Sequence, residues 1–103
     1  MPEQTRLQKI VNHKIILETA IVNVIDLTKD DITTTRKSFI LTKGNNSFIS
    51  TGYLNDDDFK TIASMHPRDI INQVFIYNDE AMDLLREAKA QGGLFYRTEF
   101  IRI

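Results

Sequence analysis

The chain has no cysteine, no surplus of either charge sign and no long apolar run, and each shortage removes a class of function. Without thiols there is no disulfide scaffold, no thiolate nucleophile and no Cys-ligated zinc or iron–sulfur centre. With 13 basic and 14 acidic side chains the net charge is −1, so no global field gathers nucleic acid or an anionic membrane surface. No apolar stretch reaches the ~20 residues of a membrane span, and the opening MPEQTRLQK lacks the apolar centre of a secretory signal. A cytoplasmic protein without a membrane partner is the resulting expectation. Missing too are the glycine–lysine phosphate loop, the dinucleotide fingerprint, the serine elbow and the paired-histidine zinc motif. The reading therefore leans away from an enzyme and includes no cofactor and no metal.

What the chain does have is a long apolar stretch with two faces. In KIILETAIVNVIDL, residues 14 to 27, alternation sets Ile15, Leu17, Thr19, Ile21, Asn23, Ile25 and Leu27 on one side of a strand. Ile16, Glu18, Ala20, Val22, Val24 and Asp26 fall on the other. A helix competes, because Leu7, Ile10, Lys14, Leu17, Ile21 and Val24 recur at spacings of three and four. The abundance of Ile and Val, which lose rotamer freedom in a helix and suit a pleated surface, favours the strand. Both of its faces then ask for cover.

At 103 residues the chain suits one domain, and a domain of this size buries roughly two thirds of its unfolded surface. Residues 1 to 8 read as a loosely held polar arm, and residues 9 to 103 as a single α+β domain. Thr28-Lys29-Asp30-Asp31 forms a polar turn. The β-branched run ITTTRKSFILT and the shorter SFISTGY flank Lys43-Gly44-Asn45-Asn46, which predicts a hairpin, with Gly52 marking a bulge or the end of pairing.

A short helix is expected over Leu54 to Met65, capped by Asn55 and with Asp56, Asp57 and Asp58 in its first turn; Pro67 ends it. Pro67-Arg68-Asp69 then starts a turn or a single helical turn. Val74-Phe75-Ile76-Tyr77 reads as a buried strand, and Asp79 to Gln91 as a second helix capped by Asn78 and stopped by Gly92. Leu94 to Ile103 closes the chain as a strand. The expected fold is a two-layer α+β domain: a mixed sheet of about five strands with two helices on one face, in the order β-β-β-α-β-α-β. The unit from Val74 to Ile103 is long enough for a right-handed crossover that would make its two strands parallel.

Three groups of residues are candidates for function. With helices on one side only, Ile16, Ala20, Val22 and Val24 form an apolar patch on the other, which a homodimer or another protein would cover unless the arm or sheet curvature does. The hairpin carries Arg36, Lys37, Lys43 and Asn45, with Phe39, Phe48 or Tyr53 as stacking faces, an arrangement that could serve single-stranded nucleic acid or a nucleotide. Three cations make a thin field for phosphate, so nucleic acid is the disfavoured partner. His66, Arg68 and Asp69 in one loop could present imidazole, guanidinium and carboxylate together; the plainer account is a turn with a solvated ion pair. The Asp56-Asp57-Asp58 triplet suggests a cation site, but successive helical side chains diverge by about 100°, and a favourable helix start explains it better. The sequence thus predicts a small non-enzymatic interaction module, a homodimer through a sheet face or edge strand, with nucleic-acid or nucleotide binding as the alternative.

Overall fold

A computed structural model describes residues 14–26, 28, 32–50 and 54–103. The arm at residues 1–8, most of the turn at 29–31, and the expected bulge at Gly52 lie outside the described residues. The expected fold class is present: a five-stranded mixed sheet with helices packed on one face.

Strand β1 (Ile15–Asp26) pairs along its whole length with antiparallel β2 (Ile32–Lys43), from Ile15 opposite Lys43 to Asp26 opposite Ile32. Residue type wins over the helical spacing here, because the chain pairs wherever Ile and Val alternate. Gly44, at φ 58°, turns β2 into β3 (Asn46–Ile49), as the Lys43-Gly44-Asn45-Asn46 signal predicts.

Helix α1 (Asp56–Ala63) starts where Asn55 accepts a hydrogen bond from the Asp58 amide at 2.8 Å. The three aspartates occupy its first turn, where the helix dipole favours them. Helix α2 (Pro67–Val74) follows, then α3 (Asp79–Gln91), capped by Asn78, which accepts from the Ala81 amide at 3.0 Å. Gly92, at φ 92°, ends α3 in the left-handed conformation that a side chain would resist. The chain finishes as a hairpin of β4 (Gly93–Tyr96) and β5 (Glu99–Arg102).

Two expectations fail, the first for a local reason and the second through a long-range contact. No strand forms over Val74–Tyr77, because Ile70, Ile71 and Val74 recur as one side of a helix that Pro67 opens in its first turn. Val74 and Phe75 are buried; Ile76 and Tyr77 turn outward in the connection to α3. Among the described residues there are accordingly three helices rather than two, in the order β-β-β-α-α-α-β-β. The final stretch is two strands, reversed at Arg97 and Thr98 with φ of 53° and 68°. Positive φ at both central residues is the two-residue hairpin geometry usually signalled by Asn-Gly, a signal this turn lacks. Its strain is offset by anchorage: the Arg97 guanidinium donates to the Ala63 carbonyl at 3.1 Å and lies over the Tyr96 ring. Tyr96 donates its hydroxyl proton to the same carbonyl at 2.7 Å, satisfying the open C-terminus of α1.

The expected crossover between parallel strands is therefore absent, and the parallel pair is β1 with β4, joined only at Ile16 beside Phe95 and Leu17 beside Tyr96. The sheet order is β3-β2-β1-β4-β5. Ile15, Leu17, Phe39, Leu41, Leu94 and Tyr96 meet the helices on one face, where Ile70, Ile71, Phe75 and Ala81 complete a closed core. Phe39 stacks on Phe59 with ring centroids 5.0 Å apart, tying α1 to β2.

That core underlies only half of β1. Twelve residues extend about 40 Å at ~3.3 Å each. β3 pairs with β2 only from Ile40 to Lys43, and β4 with β1 only at Ile16 and Leu17. Beyond Thr19 and Phe39, β1 and β2 run on as a two-stranded ribbon. Its root is fastened by two buried serines. Ser50 Oγ accepts from the Phe39 amide at 3.0 Å and lies 2.5 Å from Ser38 Oγ, while the Ser50 amide donates to the Phe39 carbonyl at 2.8 Å.

Candidate interaction surface

Among the described residues no helix packs on the second face of the sheet, which the pairing register defines and on which Ser38 is nonetheless buried. Residues directly opposite one another share a face, so Ile16, Glu18, Ala20 and Val22 lie with Thr42, Ile40, Ser38 and Arg36, away from the helices. The apolar patch expected from Ile16, Ala20, Val22 and Val24 is on this face by register. Ile16, Ala20 and Val22 are half-buried; the side chain of Val24 is outside the described residues. Phe95 and Phe100 extend the patch across β4 and β5 in an edge-to-face contact at 5.3 Å, and Ile49 extends it on β3. Ile49 and Phe100 are 52% and 51% exposed. Lys14 Nζ lies 4.3 Å above the Phe95 ring, a cation at the rim of an apolar patch.

The ribbon adds a feature that sequence patterning missed. Ile21 and Ile25 share the helix-side face with Ile15 and Leu17, yet the helices stop short of them, and they are 76% and 62% exposed. Alternation identified their face; it carried no information on how far along the strand the second layer reaches. The ribbon also has a free backbone edge. Among the described residues, no strand pairs with β1 on the side opposite β2 beyond Leu17.

The three hairpin cations do not converge on one point, because Lys43 is set apart from Arg36 and Lys37. Arg36 lies opposite Val22 on the open face, whereas its neighbour Lys37 points to the helix side, 3.9 Å from Asp56 and 5.5 Å from the Phe59 ring centroid. Lys43, seven residues from Arg36 and so about 23 Å along the strand, is hydrogen-bonded to Glu87 of α3. Asn45 is exposed at the turn beyond it. Of the aromatics proposed for stacking, Phe39 is in the core, Phe48 is half-buried and Tyr53 is outside the described residues. An open cleft of about 460 Å³ between the ribbon and the start of α1 is lined by Arg36 and Lys37 together with Ile21, Leu54 and Asp56. It offers an anionic ligand two cations with a carboxylate beside them.

His66 holds the fold, while the Arg68 and Asp69 side chains pair with each other in solvent. The His66 ring caps α2, with Nδ1 accepting from the Arg68 amide at 3.2 Å, and its Nε2 is 3.0 Å from the Arg102 carbonyl. Because a carbonyl only accepts, Nε2 carries the proton and Nδ1 is bare, the neutral tautomer. Arg68 and Asp69 form an exposed ion pair at 3.6 Å. No cluster of three or more potential metal ligands occurs among the described residues.

No protein-family model, curated protein or solved structure matches this chain. The class that the fold defines is a two-layer α+β protein with a projecting β-ribbon, its helices packed among the described residues on one sheet face. No helix of the described residues is long and apolar enough to cross a membrane.

Proposed function

We propose that this protein is a non-enzymatic protein-interaction module that acts as a homodimer through the sheet surfaces its own helices leave bare. The observation that carries the reading is the coincidence of exposed apolar side chains with unpaired strand. Ile21 and Ile25 stand in solvent on a ribbon whose β1 edge has no pairing strand among the described residues. A two-stranded ribbon is marginal in water by itself, and an exposed edge invites another strand. Exposed apolar side chains beside an unpaired strand edge are features that association surfaces present. A cytoplasmic setting is consistent with the absence of thiols in the sequence.

Sedimentation equilibrium at micromolar protein tests the proposal. A dimer of the 11.9 kDa chain is the expected species. A single 11.9 kDa species up to hundreds of micromolar would remove the basis for homodimer action.

A further inference from the structure

We infer that the partner is a second copy of this chain, added edge to edge through β1, antiparallel, about a two-fold axis at Asn23. The inference deepens the reading just proposed and rests on it.

Among the described residues the free edge of β1 runs from Glu18 to Asp26, ETAIVNVID, and between its two acidic ends it has none of the devices that keep an edge strand solitary. It has no lysine, arginine, proline or glycine, and it pairs without interruption on its other side. The opposite edge of the ribbon is guarded: β2 carries Arg36 and Lys37, and Leu54 bridges to Lys37 across it. Two β2 edges meeting about a two-fold axis would bring these cations together, whereas two β1 edges bring none.

Self-complementarity then fixes the register. With Asn23 on the axis, Ile21 lies opposite the partner's Ile25 and Val22 opposite the partner's Val24. Such an axis keeps the helix side of both copies on one side of the joined ribbon. The two exposed isoleucines of β1 are thereby placed in direct cross-strand pairs, flanking an Asn–Asn pair whose amides each offer a donor and an acceptor. Moving the axis by one residue in either direction sets Asn23 opposite an isoleucine, and moving it to Val22 also sets Glu18 opposite the partner's Asp26, acid against acid. The paired stretch is residues 20 to 26, which clears β4, whose pairing ends at Leu17. The product is a continuous four-stranded ribbon, β2-β1-β1-β2, between two helical bodies.

The cysteine-free chain makes the test direct, since any thiol introduced is the only one. Residues directly opposite on antiparallel strands have Cα atoms about 4.5 to 5.5 Å apart, within the span a disulfide bridges. Under mild oxidation Asn23→Cys should form a covalent dimer. A mixture of Ile21→Cys and Ile25→Cys should cross-link to each other, and neither should do so alone, because each is then four residues out of register. Thr35→Cys, opposite Asn23 on β2, should stay monomeric on a non-reducing gel. Ile21→Glu should shift the sedimenting mass to that of one chain while the far-ultraviolet circular dichroism is retained.

The mixed pair protects against the chance that losing Asn23 disturbs association. A dimeric mass with no cross-link at position 23 or in the mixture, or with cross-linking at Thr35→Cys, overturns the β1 edge and leaves the homodimer standing. A monomeric wild-type mass overturns both.

Discussion

Removing the Ser50 hydroxyl should loosen the ribbon at its root. Ser38 and Ser50 are 1% and 7% exposed, and Ser50 Oγ is the acceptor for the Phe39 amide at 3.0 Å as well as the neighbour of Ser38 Oγ at 2.5 Å. Ser50→Ala leaves that amide without its side-chain acceptor where water has little access, at a cost of about 1–3 kcal/mol. Ser38 keeps a longer contact, 3.4 Å, to the Ser50 carbonyl, so most of the loss belongs to the Phe39 amide. We expect a net destabilisation of about 2 kcal/mol, which for a domain near 100 residues lowers the melting temperature by roughly 8 to 16 °C. Urea unfolding followed by circular dichroism measures it, with wild type and variant compared at one protomer concentration because dimerisation adds to apparent stability. Ser38→Ala combined with Ser50→Ala should cost less than the two single changes summed, since the hydroxyls share one contact. A Ser50→Ala variant within about 0.5 kcal/mol of wild type, the range of an ordinary surface change, would refute the clasp.

Three further outcomes follow from particular contacts. A methyl group added at Gly93 would lie 2.2 Å from the Ile101 carbonyl oxygen and 2.8 Å from the Phe100 ring, and since the first is backbone, β4 and β5 must part. Gly93→Ala should therefore cost about 1–3 kcal/mol by chemical denaturation, and a neutral result would contradict the close approach. His66→Ala should lose roughly 1 kcal/mol of helix capping and speed hydrogen exchange at the Arg68 amide; His66→Asn, which restores an acceptor, should recover much of both. Equal damage from the two substitutions would show that the cap contributes little. Gly92→Ala, forced into φ 92°, should destabilise by about 1 kcal/mol, and an unchanged urea midpoint would argue against the left-handed cap.

The parts of the fold legible in the sequence are those set by neighbours a few residues apart. Asn55, Asn78 and Gly92 cap helices where their side chain or its absence dictates, and Gly44 turns β2 into β3 because it accepts positive φ. The strand over residues 15 to 26 follows from its β-branched residues, although its spacing also suited a helix. A short apolar cluster fits either period, so the sequence favours a strand over Val74 to Tyr77 where Ile70, Ile71 and Val74 in fact line a helix; Pro67 and His66 together settle α2, and the capping role of His66 is not legible as such. The hairpin at Arg97-Thr98 carried no turn signature, since its strain is balanced by bonds to Ala63, more than thirty residues away in sequence.

For the candidate surface the division is similar. Sequence alone determined that β1 has two apolar faces and that Ile16, Ala20 and Val22 lie opposite Ile21 and Ile25, because alternation is a property of the extended backbone. Tertiary structure decided where the covering ends. Three short helices close over Leu17, Phe39 and Leu41 and reach no further, and β4 joins β1 at two residues only. How far a second layer extends along a strand depends on elements folded from distant parts of the chain, and so does which edge is left unpaired. The exposed isoleucines of β1, and the stretch of its edge without a pairing strand among the described residues, are consequences of that long-range packing.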